Sequence, residues 1–134
     1  HGRDIFAHAA GLLASGASWS GLAEPCEPAA RPVWSMPRRE GRRLTGEVIH
    51  VDRFGNLVTN ITTAHLENVA TRGLEVEAGA LRVKGLSSTY GDVAAGQPVA
   101  YVGSDGHLEL AINQGSAAEI GAAGTGSLVT IINL

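Results

Sequence analysis

Cysteine, aromatic residues and long apolar runs are all scarce in this sequence, and each scarcity closes off a class of protein. Cys26 is the only cysteine, so an intramolecular disulfide is excluded and a reducing, cytoplasmic setting fits. It stands between prolines in EPCEP, a poor setting for a positioned nucleophile. No apolar run approaches the ~20 residues that a membrane-spanning helix needs, and no signal-peptide pattern is visible, so no membrane partner is expected. Aromatic residues make up 4% of the chain against 18 glycines, which points to many tight turns around a core of small residues. Positive charge is scarce too: the formal net charge is −3, whereas a nucleic-acid surface requires a basic stripe. GxSxG, a Walker A loop, HExxH and CxxC are missing, which removes the usual catalytic signatures. Five histidines are present (His1, His8, His50, His65, His107). None is paired at metal-ligand spacing, so no metal site is expected, and His8, His65 and His107 read as surface residues.

What remains is a chain able to bury one core. Of its 134 residues, 44% are hydrophobic, which fits one ordinary domain or one domain with a tail. The chain starts at His1 rather than Met, so processing or a longer parent protein is expected. Asp4–Ser15 (DIFAHAAGLLAS) carries an apolar stripe of Ile5, Ala9, Leu12 and Leu13. With Asp4 at its N-terminal end and Gly16 as its stop, it reads as a helix. Trp19–Ala23 reads as one further short turn. From Glu24 to Arg43 periodicity is lost among four prolines, and Arg31, Arg38, Arg39, Arg42 and Arg43 gather there. That composition reads as a solvated linker.

From Leu44 the pattern changes to short strands punctuated by turns. The candidate strands are Leu44–Asp52, Asn56–Thr62, Leu74–Glu77, Ala80–Val83, Pro98–Gly103, His107–Asn113 and Ser127–Ile132. Gly103-Ser104-Asp105-Gly106 is a hairpin signal between two of them. A short helix is expected over Ala64–Val69. Another is expected to start at Ser116, where Ser116-Ala117-Ala118-Glu119 matches a capping box. The fold class is therefore mainly β, a small closed or nearly closed antiparallel barrel behind a helix and a Pro/Arg-rich linker. The expected boundaries are 1–23, 24–43 and 44–134.

The turns carry most of the chemistry. In HVDRFGNLVTNI, Asp52 and Asn56 flank a tight reversal across Gly55. A second reversal holds Ser104, Asp105 and Gly106; a third segment, Asn113-Gln114-Gly115-Ser116, joins a strand to a helix start. Turns use these residues for backbone reasons alone. Their side chains also have ligand chemistry. An amide such as Asn56 offers a donor and an acceptor, matching the amino and ring-nitrogen edge of adenine. The carboxylate of Asp52 suits an ammonium group, and a serine with nearby N–H groups suits a carboxylate. Together they describe a pocket for a small zwitterion attached to a base.

Three stretches in order carry a resemblance: HGRDIFA-H-AAGLLASG, then G-x-V-x-HVDRFGNLVTNI, then TYGDVAAGQPVAYVGSDGHLELAINQGSAAE. Together the chain resembles the C-terminal half of the S-adenosylmethionine hydroxide adenosyltransferases, also called S-adenosyl-L-methionine hydrolases, relatives of bacterial fluorinase and chlorinase. The resemblance implies an α/β domain preceding His1, with residues 1–23 as its helical tail, and a C-terminal β-barrel. It implies a homotrimer whose ligand lies between the N-terminal domain of one subunit and the C-terminal domain of the next. The hydrolases convert S-adenosylmethionine and water to adenosine and methionine, with no cofactor, using an Asp–Arg–His set around the attacking water.

The resemblance maps that histidine onto His1 and leaves its Asp and Arg partners upstream. Asp52 matches the acid that holds the methionine amino group, and Asn56 the amide facing adenine. Ser104 matches the hydroxyl near the methionine carboxylate, while Asn113, Gln114 and Gly115 would supply backbone contacts to the adenine edge. The halogenases resemble Tyr-Ser where this chain has His1-Gly2, which favours water over halide as nucleophile. They also carry Arg where this chain has Asp105, so the N–H groups of Ser104–Gly106 are the donors left for a carboxylate. Leu57 and Val58 are candidates for an apolar wall near sulfur, or for packing; His50 and Arg53 are assigned no chemistry. Two other readings stand beside hydrolysis: a halide-using synthase of 5′-halo-5′-deoxyadenosine, and a non-catalytic adenosine- or S-adenosylmethionine-binding barrel.

Overall fold

The computed structural model describes residues 2–27, 35–67, 69 and 73–134. The chain divides into two compact units, His1–Pro32 and Val33–Leu134. In the first unit a π-helical turn, Gly2–Phe6, runs into helix α1 (Ala7–Ala14), and Trp19–Gly21 forms a 3-10 turn. The helix stops where expected. Ser15 Oγ donates to the Leu12 carbonyl at 2.7 Å, and Gly16 adopts φ +92°, the left-handed conformation glycine tolerates. None of these three elements buries a residue, and Ile5, Phe6 and Trp19 are exposed.

The second unit is a sheet of eight strands: β1 (Arg38–Glu40), β2 (Arg43–Val51), β3 (Leu57–Thr62), β4 (Glu75–Ala78), β5 (Leu81–Lys84), β6 (Pro98–Val102), β7 (His107–Ile112) and β8 (Leu128–Ile132). Their hydrogen-bonded order is β5-β4-β8-β2-β3-β7-β6, all antiparallel, with β1 on β2. The path nearly closes on itself. Just past β5, Ser87 donates its N–H to the Ala100 carbonyl of β6 at 2.8 Å and forms a lone bridge with Tyr101. The result is the expected nearly closed antiparallel barrel. Alternation drives it: Leu44, Gly46 and Val48 of β2, Val76 and Ala78 of β4, and Leu81 and Val83 of β5 point inward while their neighbours do not. Leu57, Ile61, Leu108, Leu110, Val129 and Ile131 complete a core of fully buried aliphatic side chains. Leu57 thus belongs to the core, so packing, not a wall near sulfur, is its role.

Two details position the site. β2 carries an irregularity between Val48 and His50 where it meets β3, and the ladder is patched by a side chain. Asn60 Oδ1 accepts the Glu47 N–H at 2.8 Å, and its amide donates to the Ser35 carbonyl at 2.6 Å. Gly46 makes room, since a Cβ there would collide with Asn60 Oδ1 and Ile61. Further along, helix α3 (Ala117–Gly121) starts at Ser116, whose hydroxyl accepts the Glu119 N–H at 3.2 Å, as the capping pattern predicts.

The differences from expectation are local. Residues 38–40 lie within the stretch assigned to linker, yet they form β1, paired Arg39 to Leu44 and Glu40 to Arg43. Gly41 at φ +58° supplies the reversal, and Pro37 ahead of an edge strand costs no ladder bond. Helix α2 (Thr63–Leu66) ends before the expected Val69, because Glu67 leaves helical geometry at ψ 134°. Its His65 is a cap rather than a plain surface residue: the ring Nδ1 accepts the Thr62 N–H at 3.1 Å. His107 is likewise engaged, its Nδ1 donating to the Thr59 carbonyl at 2.7 Å. Among the described residues no helix is long and apolar enough to cross a membrane.

A candidate ligand cavity

The β2–β3 reversal is tied down from inside by one carboxylate. Asp52 Oδ1 accepts the N–H groups of Phe54 at 2.8 Å and Asn56 at 2.9 Å, and Oδ2 accepts the Asn56 side-chain amide at 2.9 Å. The backbone closes beneath, with the Asp52 N–H donating to the Asn56 carbonyl at 3.1 Å. Partial burial pushes the Asp52 carboxyl upward. The bonds from Asn56 and Phe54, helped by the field of His50, outweigh that and hold it below its ordinary value. Gly55, at φ +83°, lies flat against the start of α3. Its carbonyl accepts the Ala118 N–H at 2.9 Å, and a Cβ on it would collide with Ser116 Oγ. The turn is therefore docked, with Phe54 left 62% exposed beside the Arg53 guanidinium, 4.6 Å from the ring centre.

A second wall comes from paired residues on β6 and β7. Tyr101 and Glu109 are direct cross-strand partners, and the Tyr101 hydroxyl donates to Glu109 Oε2 at 2.7 Å. Burial first, then the hydrogen bond to Glu109 and the negative charges of Glu109 and Asp52, push the Tyr101 hydroxyl well above the usual phenol range. It stays protonated and a donor. Tyr90 stands on a 3-10 turn, Tyr90–Asp92, fastened by the Asp92 carboxylate, whose Oδ2 accepts the N–H groups of Ser88 at 2.8 Å and Thr89 at 2.9 Å. The third wall is the sharp bend after β7. Gln114 takes φ +58°, the Gly115 N–H donates to the Ile112 carbonyl at 3.1 Å, and the Asn113 amide donates to the Val93 carbonyl at 2.7 Å.

These walls enclose a cavity of about 540 Å³, within the range of small-molecule sites. Asp52, Phe54 and Asn56 line it from the β2–β3 reversal, Asn113, Gln114 and Gly115 from the bend, and Tyr90, Tyr101 and Glu109 from between. Ala111 and Ile112 complete the lining. Half of the chain's six aromatic residues are here. Two carboxylates face the space and no Lys, Arg or His lines it, so the field favours a positively charged ligand. The aromatic faces suit a flat ring, and the amides suit a hydrogen-bonding edge. Among the described residues no group of three His, Cys, Asp or Glu side chains comes together to hold a metal ion.

Of the residues singled out from sequence, Asp52, Asn56, Asn113, Gln114 and Gly115 meet at this cavity. Ser104 does not line it; it is exposed at the tip of the β6–β7 hairpin. That hairpin spends the Gly106 N–H on the Gly103 carbonyl at 3.0 Å, leaving those of Ser104 and Asp105 as donors. His1 lies outside the described residues. Asn56 and Asn113 both spend side-chain donors within the fold, and Asn56 Oδ1 accepts no hydrogen bond among the described residues. Sequence reasoning missed Tyr90, Tyr101 and Glu109. A signal existed for Glu109, an acid interrupting the apolar run HLELAI.

A family model described as the SAM hydroxide adenosyltransferase C-terminal domain matches residues 46–130. An (R)-S-adenosyl-L-methionine hydrolase of Thermus thermophilus is 44% identical over 121 residues, covering 89% of this chain and 43% of that protein. A protein of the same name from Salinispora tropica is 39% identical over 123 residues, with 90% and 45% covered. The chain spans about half the length of these curated relatives. Among solved structures, an uncharacterized conserved protein from Thermotoga maritima superposes with TM-score 0.72 at 30% identity, covering 98% of this chain and 52% of that one. A conserved hypothetical protein from Thermus thermophilus gives TM-score 0.63 at 42% identity over the same shares, 98% and 52%.

Proposed function

The chain belongs to the SAM hydroxide adenosyltransferase C-terminal domain family, and from that premise we propose that the full-length protein hydrolyses S-adenosyl-L-methionine to adenosine and L-methionine. The observation that carries this reading is the convergence of Asp52, Asn56 and the Asn113–Gly115 bend on one acid-lined, aromatic-rimmed cavity. S-adenosylmethionine is a purine, a ribose and an amino acid joined through a positive sulfur, and its purine and its ammonium group have counterparts there. Asn56 Oδ1 accepts from the purine's exocyclic amine, and the bend offers backbone groups to the same edge. Phe54 and Tyr90 offer ring faces, and Asp52 takes the ammonium group. The N–H groups of Ser104 and Asp105, on the hairpin tip outside the cavity lining, are assigned to the carboxylate.

In the reaction, a water oxygen bonds to the ribose C5′ as the C5′–S bond breaks. The bonding pair leaves with sulfur, which becomes the neutral thioether of methionine. The leaving group needs no acid, so catalysis consists of placing the water in line, stripping its hydration and taking its proton. We assign the proton acceptor to His1, assisted by an Asp and an Arg of the preceding α/β domain, with no cofactor. The barrel supplies binding; the reactive water comes from the other domain, contributed across a homotrimer interface in the cytoplasm. No nucleic acid or membrane takes part. The test is incubation of the full-length protein with S-adenosylmethionine, followed by reversed-phase separation. Adenosine and methionine in equal amounts are expected; a halonucleoside, or unchanged substrate, overturns the reading.

A further inference from the structure

Tyr90 reaches the cavity on a long connection, residues 85–97 between β5 and β6. Its side chain is 61% exposed, so packing does little to place it. The turn that holds it is closed from within. The Asp92 carboxylate accepts the N–H groups of Ser88 and Thr89, and Thr89 Oγ1 accepts that of Gly91 at 3.2 Å. Those bonds shape the turn without fixing where it sits. Ser87 ties the start of the connection to Ala100. Beyond it, among the described residues, a single hydrogen bond links residues 88–95 to the rest of the barrel: the Asn113 amide on the Val93 carbonyl at 2.7 Å.

Asn113 grips the same connection twice more. Its N–H donates to the Gln97 carbonyl at 3.1 Å, and its carbonyl accepts the Gly96 N–H at 2.7 Å. Both backbone groups are thus spent, and the short side chain between them is aimed at Val93. Its neighbour differs. Gln114, at φ +58°, makes no backbone hydrogen bond among the described residues, so it keeps the donor and acceptor that the bend offers to a purine edge.

We propose that Asn113 is a positioning residue that acts on the ligand through Tyr90, holding the connection so that the Tyr90 ring meets the purine. This deepens the hydrolase reading above and rests on it. A purine stacked on a ring is bound alike in substrate and transition state, so the contribution appears in KM rather than kcat.

The experiment compares Asn113→Ala, Tyr90→Leu and the double variant in the full-length protein, with adenosine titrated by calorimetry. Tyr90→Leu weakens adenosine about tenfold, the loss of a base–aromatic stack. Asn113→Ala weakens it several-fold, and the double variant is no weaker than Tyr90→Leu, because nothing is left to position. KM for S-adenosylmethionine follows the same order while kcat changes far less. Unchanged adenosine affinity in Asn113→Ala, or losses that multiply in the double variant as for two separate contacts, overturns the proposal. Hydrogen exchange needs no ligand: Asn113→Ala speeds exchange across residues 88–97 and leaves the β2–β3 reversal at the wild-type rate. An unchanged rate in 88–97 overturns the stitch itself. Should Asn113→Ala fail to fold, Asn113→Asp keeps the side chain's size, removes its donor and gives the same pattern. A wild type that binds no adenosine brings down the hydrolase reading and the purine role together, while exchange still decides whether Asn113 holds the connection.

Discussion

The two reversals singled out from sequence, β2–β3 and β6–β7, look alike in sequence and differ in structure. Each joins neighbouring antiparallel strands, and each contains an aspartate and a glycine at positive φ, Gly55 at +83° and Gly106 at +77°. In the β2–β3 reversal the aspartate is consumed by three hydrogen bonds, and the glycine is pressed against Ser116 at the start of α3. In the β6–β7 hairpin, Ser104 and Asp105 are exposed. There Gly106 has only Thr63 Oγ1 near its missing Cβ, at 3.4 Å. The same residue types make a docked wall in one place and an open tip in the other. What separates them is whether a third element packs over the turn, which no local pattern encodes.

The sharpest way to break the contrast is to add one methyl group to each glycine. Gly55→Ala must pay for a left-handed backbone and also displace Ser116, so a loss of about 3 kcal/mol is expected. Gly106→Ala meets ordinary van der Waals distance, leaving only the backbone term of about 1 kcal/mol. Urea unfolding of both variants measures the gap. Equal losses would show that packing against α3 adds nothing to the first turn.

Much of the framework was legible because period-two burial is local. β2, β3 and β7 fall within a residue or two of the expected strands, and Ser116 caps its helix as its spacing implies. The β1 hairpin was hidden because arginines and prolines tell against a strand until the edge of β2 needs a partner. The site was legible in its turns, which announce themselves by composition, and illegible in its strands. Tyr101 and Glu109 are eight residues apart and become partners only through the register of β6 on β7. Tyr90 stood in a quoted motif, yet only the fold brings its turn to the cavity. Leu57, weighed as a wall for sulfur, is fully buried, as its place in the β3 alternation requires.

Asn56→Ala is the next test in size and sharpens the ligand side of the comparison. It removes the amide that bonds Asp52 Oδ2, which costs about 1 kcal/mol of stability. It also removes the amide that we assign to the purine edge, so adenosine affinity of the full-length protein falls by about tenfold. Calorimetric titration separates the two effects. A variant that loses stability but keeps adenosine affinity would confine Asn56 to the turn.

Acid pH probes the same turn with a smaller effect. Asp52 has a folded-state pKa below its unfolded value, so ionisation favours the folded chain. The contribution is complete above the ordinary carboxyl range, about 4, and is lost as pH falls through the lower folded value. Asp52→Asn is therefore expected to be destabilised most at neutral pH, with its urea midpoint converging on wild type below about pH 4. A constant offset across that range would mean that geometry, not charge, holds the turn.

The smallest expected change belongs to the hairpin tip. Ser104 is exposed and its side chain makes no hydrogen bond among the described residues, so Ser104→Ala should leave stability within about 0.5 kcal/mol. If the tip's remaining role is to meet the carboxylate of the methionyl group, the hydroxyl is one donor beside two backbone N–H groups. Its loss then weakens S-adenosylhomocysteine binding a few-fold and leaves adenosine binding untouched. The same substitution followed with both ligands separates an open tip that waits for a carboxylate from one that only turns the chain. Equal affinities for both ligands before and after would assign the hairpin to the second role, and the contrast between the two reversals would then extend from packing to binding.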